Sequence, residues 1–210
     1  MRILYIDTSS SYLYTSIVEN DKVLSEIKEE FGQSLSEVAL PRIVSMFEEN
    51  KLSPKDIDKI IVVNGPGSFT GIRIGITIAK IYAWSLNIPI TTIYSLEAMA
   101  ISSNKEIYHV PIINARRGYV FGAIYDENYN PVLKPCHILL TDLQEKLKEI
   151  ENYEFISNDE FDDLELENYS PDFEKIVNYF KDKESINPHA VNPEYLKLTE
   201  AEESKLWFMN

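Results

Sequence analysis

The chain has 210 residues, 44% of them hydrophobic, with a formal net charge of −14 and a pI near 4.7. That hydrophobic content builds one large domain or two small ones with real cores. The acidic balance argues against a free-standing nucleic-acid binder, which shows a basic face, and favours a basic partner subunit. Cys136, the one cysteine, excludes an internal disulfide and points to a reducing cytoplasm. No apolar stretch approaches the ~20 residues of a membrane span. Asp7 cuts the run Ile3-Leu4-Tyr5-Ile6 far short of a signal sequence, so the expected setting is cytoplasmic, with no membrane partner.

Residues 2–7 read as a buried strand, and residues 11–18 alternate and carry β-formers. Lys22 to Glu29 returns after an Asn20-Asp21 turn. The three make an antiparallel meander whose first turn is Asp7-Thr8-Ser9-Ser10. Residues 35–50 follow a helical period with Val38, Ile43, Met46 and Phe47 on one side; Pro41 either kinks that helix or opens a second piece. Ser53-Pro54-Lys55-Asp56 is a helix-start signature. A strand at 59–64, a helix at 70–86, a strand at Ile90 to Ile93 and a helix from Ser95 to about Ser103 follow. The order βββ-α-β-α-β-α predicts a mixed sheet with helices on both faces.

A second lobe begins at residue 105. Strands are expected at 107–113, 119–125, 132–140 and 153–157, and helices at 141–150 and 173–182. Residues 158–174 are acid-rich and aperiodic, the pattern of a solvated loop. The expected organisation is an N-terminal lobe, 1–104, and a smaller C-terminal lobe, 105–210. The halves share a loose β-then-α pattern without a sequence repeat. The apolar tail Leu206-Trp207-Phe208-Met209 either docks on the body or a partner, or is disordered.

The chemistry concentrates in Gly65-Pro66-Gly67-Ser68-Phe69-Thr70-Gly71-Ile72-Arg73-Ile74-Gly75, which holds four of the seven glycines. Strand, glycine turn and helix start together suit an anion facing helix N–H groups, or a close strand–helix crossing. The spacing fails the dinucleotide fingerprint at Thr70 and lacks the Gly-Lys-Ser/Thr of a Walker loop. Ser68 and Thr70 are candidate N-caps. Arg73 in the first turn opposes the helix dipole, which an anion or an acidic partner residue nearby would justify; an exposed arginine explains it equally. Asp7-Thr8-Ser9-Ser10 either holds hydrated Mg²⁺ and phosphate or bonds its own backbone. His109, His137 and His189 lack metal-ligand spacing, so no metal is expected. Cys136 has no base or orienter evident in sequence, and Arg116-Arg117 in a turn either grips an anion or is simply exposed. The helix at 70–86 is apolar nearly all round, which demands burial on more than one side by core or by partner. Gly75 and Ala79 would let another helix approach closely.

Ile6-Asp7-Thr8-Ser9, the glycine run through Arg73 and Ser95-Leu96-Glu97-Ala98 together resemble the TsaB (YeaZ) family, as do Asn114-Ala115-Arg116-Arg117 and Pro193-Glu194-Tyr195-Leu196. The resemblance implies an actin-like, sugar-kinase-like ATPase fold with two related lobes, mixed sheets and flanking helices. It implies a role in installing threonylcarbamoyladenosine beside the anticodon of tRNAs that read A-starting codons. Members are non-catalytic scaffold or activating partners of a larger metal-binding paralogue, TsaD, and a small ATPase, TsaE, completes the assembly. On this resemblance tRNA is met only through the complex. The chain alone is expected to form a homodimer through the helices at 35–50 and 70–86, with Ile43, Phe47, Gly75, Ala79 and Tyr82 at the partner interface. No catalytic residue and no required cofactor are expected. A nucleotide, ATP or ADP at the partner interface, would meet Asp7, Thr8, Ser9, Gly67, Ser68 and Arg73. Three positions depart from the family. Leu35-Ser36-Glu37 replaces His-Ser-Glu, Asn114 replaces the aspartate of Asp-Ala-Arg, and Tyr119 stands where an acid is usual. The rival readings are an ATP-dependent phosphotransferase of the sugar-kinase type, which needs a second phosphate loop, and a peptidase, which needs a metal site or a Ser–His–Asp set.

Overall fold

The computed structural model describes residues 1–197, so the apolar tail at 206–209 lies outside the described residues. Strands β1 (Arg2–Asp7), β2 (Tyr12–Glu19) and β3 (Lys22–Glu30) form the expected antiparallel meander. β4 (Lys59–Val63) joins β1 in parallel and β5 (Ile90–Ile93) joins β4, giving the order β3-β2-β1-β4-β5. The central strand is apolar on both faces, as a strand covered from two sides requires. Leu4 and Ile6 face α1 (Leu35–Glu49) and α2 (Phe69–Leu86), while Ile3 and Tyr5 point the other way, toward α3 (Ser95–Ile101).

Pro41 lies inside one continuous α1, and its carbonyl accepts from the Ser45 hydroxyl at 3.1 Å. The helix-start signature at 53–56 produces only a 3₁₀ turn, Pro54–Asp56, in which Ser53 N donates to the Asp56 carboxylate at 2.6 Å. Ile57 is buried in extended conformation and β4 begins at Lys59, so no chain is left for a longer helix.

The second sheet contains β6 (Tyr108–Asn114), β7 (Tyr119–Tyr125) and β8 (Pro131–Leu139) as an antiparallel meander. β9 (Tyr153–Ile156) and β10 (Leu166–Glu167) extend it in parallel from β6. The helix expected at 141–150 is the shorter α4 (Leu140–Lys146), whose Leu143 packs with Leu147 against Val110, Ile112, Val120 and Ile124. The acid-rich stretch is more than a solvated loop: it supplies β10 and turns Phe161, Leu164 and Leu166 onto the same core. Written from β8, this sheet runs β8-β7-β6-β9-β10, the strand order of the first lobe repeated. The fold is a two-lobed α/β architecture of mixed sheets flanked by helices, as the motifs imply.

The expected boundary at 104/105 separates the sheets but not the cores, and is corrected. α5 (Phe173–Phe180) returns to the first lobe, where Phe173, Ile176, Val177 and Phe180 bury against Ile3, Tyr5, Val18 and Ile61. Spacings of three and four residues put these four on one helical stripe. The chain then straps the first lobe, with Ile186 N donating to Ile90 O at 2.8 Å and Lys80 Nζ to Val191 O at 2.9 Å. Without this return, one face of the first sheet would leave Ile3, Tyr5 and Ile61 without the cover they have.

Candidate functional site: the interlobe cleft and the glycine run

A cleft of about 1280 Å³ lies between the lobes. Its first-lobe wall is the β1–β2 turn with the start of α2; its second-lobe wall includes Asn114, Arg116, Phe121 and Asp159. Of the six residues expected around a nucleotide, Asp7, Ser9, Gly67 and Ser68 line this cleft, whereas Thr8 and Arg73 do not.

The glycine run resolves as a weld between β1 and α2. A Cβ on Gly71 would overlap the Thr8 carbonyl oxygen, one on Gly75 the Thr8 hydroxyl, and one on Gly67 the Ser9 carbonyl oxygen. Gly67 also has φ +150°, a backbone that L side chains rarely adopt. Thr8 Oγ1 donates to Gly71 O at 2.7 Å and accepts from Gly75 N at 3.0 Å, which threads the side chain into the first turns of α2. Ser68 N donates to Ser9 O at 2.6 Å, and Ser68 Oγ caps α2 by accepting from Gly71 N at 3.2 Å.

Asp7 is buried at the end of β1, 2% exposed. Ser9 N donates to its Oδ1 at 2.8 Å and Tyr5 OH approaches Oδ2 at 3.4 Å. Burial pushes its carboxyl above the ordinary aspartate range, against the opposing pull of the Ser9 hydrogen bonds. Arg73 faces outward instead. Its guanidinium lies 3.7 Å from the Phe69 ring centroid, and its Nε donates to Tyr195 OH at 2.7 Å. Phe69 and Tyr195 stack at 4.9 Å, and Glu194 N donates to Asn64 O at 2.8 Å. Two of the quoted motifs, over a hundred residues apart, therefore meet. Neither spacing nor periodicity signals that contact.

This donor set does not fit a nucleotide's phosphates. Ser68 N and Gly71 N are committed to the chain's own oxygens, Asp7 is buried, and Arg73 is turned to Tyr195. The second wall is tied internally: Asn114 N donates to Asp159 at 2.7 Å, and Arg116 sits at φ +68° in the turn after β6. Cys136 is half-buried with its Sγ 3.7 Å from Gly122 O, and burial raises its thiol. Among the described residues no group of three His, Cys, Asp or Glu side chains gathers as metal ligands would.

The residues expected at a partner interface are mostly covered by the chain itself. Ile43, Phe47 and Ala79 lie in the first-lobe core, Gly75 holds Thr8, and Tyr82 is half-buried with its ring 6.2 Å from that of Phe47. At Gly75 the helix thus admits Thr8 and the Ile6 side chain of β1. The large apolar groups left at the surface of the same helices are Leu40 and Val44 on α1, Ile81 and Trp84 along α2, and Phe69 at the start of α2; Trp84 is 64% exposed. No helix among the described residues is long and apolar enough to cross a membrane.

Residues 22–172 match the family described as TsaD: tRNA N6-adenosine threonylcarbamoyltransferase. The chain is 33% identical to the tRNA threonylcarbamoyladenosine biosynthesis protein TsaB of Bacillus subtilis (strain 168), over 96% of each chain. It is 31% identical to the protein of the same description from Escherichia coli (strain K12), over 63% of this chain and 58% of that one. Among solved structures, YeaZ from Pseudomonas aeruginosa superposes with a TM-score of 0.71 at 18% identity, covering 93% of this chain and 99% of that one.

Proposed function

The chain belongs to the TsaB family, and from that premise we propose that it serves tRNA threonylcarbamoyladenosine biosynthesis as a non-catalytic subunit that supports a TsaD-type threonylcarbamoyltransferase. The observation that carries this reading is the exposed apolar surface of α1 and α2, where Leu40, Val44, Ile81 and Trp84 stand beside a core that is already closed. Large exposed apolar side chains of this kind mark association surfaces. The acidic chain, at −14, suits a basic partner better than direct contact with tRNA. On this reading tRNA is reached only through the complex, a TsaE-type ATPase joins it, and the same helices hold a homodimer when the partner is absent. The chain itself requires no cofactor, and ATP or ADP at the interface it makes with its partner would be held by the partner's groups, because Ser68 N, Gly71 N and Arg73 are spent within the chain.

The test is light scattering after size-exclusion chromatography of this protein mixed with the TsaD-type paralogue of its own organism. A stable heterodimer that forms at the expense of the homodimer is expected. Trp84→Ala should weaken it by about 2 kcal/mol, as truncation of an interface tryptophan does. Failure to associate, with or without ATP and the TsaE-type ATPase, would overturn the reading.

A further inference from the structure

We propose that the β6–β7 turn and the ring stack beside it form a contact site for a single-stranded nucleic acid, which on the proposed function is an unpaired stretch of RNA. The site is Arg116, Arg117 and Tyr119, with His137 behind the tyrosine. It adds to that function a contact that this chain itself makes to RNA within the complex.

The turn is built against its own residue types. Tyr119 N donates to Arg116 O at 3.0 Å, which makes Arg117 and Gly118 the central residues. Arg117 has φ +54° and Gly118 φ +78°, and Arg116 ahead of them has φ +68°. Glycine and asparagine take such angles readily, whereas arginine takes them at a cost. The backbone is nonetheless firmly held. Ala115 N donates to Tyr119 O at 2.9 Å, Arg116 N to Asn114 Oδ1 at 2.8 Å and Leu140 N to Gly118 O at 2.9 Å. A strained backbone fixed by its surroundings points to a functional site.

The side chains that incur this cost are unspent. Both arginines are exposed, and among the described residues neither guanidinium has a hydrogen bond or a carboxylate within ion-pair distance. This holds in a chain where acidic side chains outnumber basic ones 34 to 20. Tyr119, 38% exposed, lies flat on His137, with ring centroids 4.6 Å apart and 8° between planes. Phe121, directly opposite His137 in the β7–β8 register, tilts against the same imidazole at 5.4 Å. Arg116 and Phe121 both line the interlobe cleft, which places the patch at its second-lobe rim.

Two guanidinium groups next to an exposed, stacked ring match a phosphate followed by an unpaired base. Guanidinium forks grip phosphate oxygens in pairs, and the bases of single strands stack on aromatic rings. A carboxylate of a partner protein would use the arginines and leave the ring idle. The charge of −14 opposes any polyanion at long range, so the contact is weak for the chain alone and adds to a hold made elsewhere in the complex.

The experiment is titration of the full chain with single-stranded oligoadenylate at physiological ionic strength, following the Tyr119 ring resonances by NMR, with an oligoglutamate peptide as the second ligand. Saturable upfield shifts of the Tyr119 ring are expected with the oligonucleotide, as the ring current of a stacked base gives, and not with the peptide. Arg117→Asn suits the positive φ, so it should leave Tm unchanged or higher. It should weaken binding about tenfold and lower the salt dependence by about one released ion. Tyr119→Leu should weaken binding severalfold and leave the salt dependence as it was. No saturable shift overturns the proposal. So does full affinity in Arg117→Asn, or an equal response to oligoglutamate, which would make the arginines a protein contact. The titration uses this chain alone, so its outcome does not depend on whether the TsaD-type partner associates.

Discussion

Thr8 and Gly71 show how little space separates β1 from α2. With the Thr8 carbonyl where a Gly71 Cβ would stand, Gly71→Ala forces the strand and helix apart and should cost about 4 kcal/mol or more, read as a fall in the urea midpoint. Asp7 makes the opposite kind of prediction. Its folded carboxyl titrates above the ordinary range because it is buried, so the folded state holds a proton more tightly than the unfolded one. Its contribution to stability is fully present below the ordinary aspartate range and is lost as pH rises through the raised folded value. Asp7→Asn keeps the shape and an acceptor for Ser9 N, and should raise Tm at neutral pH while leaving it unchanged in acid. Equal Tm differences at both pH values would remove burial of charge as the cause.

Helices α2 and α5 divide what could be read in advance from what could not. Gly65 to Arg73 in sequence announces a strand–turn–helix, and the structure delivers it with Ser68 as cap. The same residues leave anion cradle and tight crossing open, because the deciding atoms are the Thr8 and Ser9 carbonyls, sixty residues away in the chain. The apolar circumference of α2 is likewise legible, but its coverage by α1, the sheet and the 186–195 strap needs the tertiary fold. The stripe of α5 predicts burial and says nothing of which lobe receives it. Phe173, with its ring 5.4 Å from that of Tyr5, settles the destination. Phe173→Ala should cost about 3–5 kcal/mol, the usual range for a buried phenylalanine. Hydrogen exchange should then accelerate in β1, β2 and β4 before β6 and β7. Loss of protection confined to the second sheet would contradict the packing.

Across the whole molecule, two five-stranded sheets with one strand order are joined through the 102–107 link. Glu154 anchors that link: it accepts from the Ser103 hydroxyl, pairs with Lys105 at 2.8 Å and holds His109, while Lys175 Nζ of α5 donates to Ser103 O at 2.6 Å. Its carboxyl is depressed in the folded state, so its contribution to stability is present above the ordinary glutamate range and lost as pH falls through the lower folded value. Glu154→Gln should therefore cost about 1–3 kcal/mol at neutral pH and flatten the acid limb of the stability curve. A parallel curve for the variant would exclude this group as the acid-sensitive tie. The return of α5 to β1 has a further consequence, in the order of biosynthesis. Strands β1 to β5 leave the ribosome by residue 93, yet the side chains that complete their second face arrive only from residue 173. Domains usually fold in the order they are made. Here the lobe translated first waits for α5, and the lobe translated second can close around its own core while the first still exposes Ile3, Tyr5 and Ile61 to any chaperone at the tunnel exit.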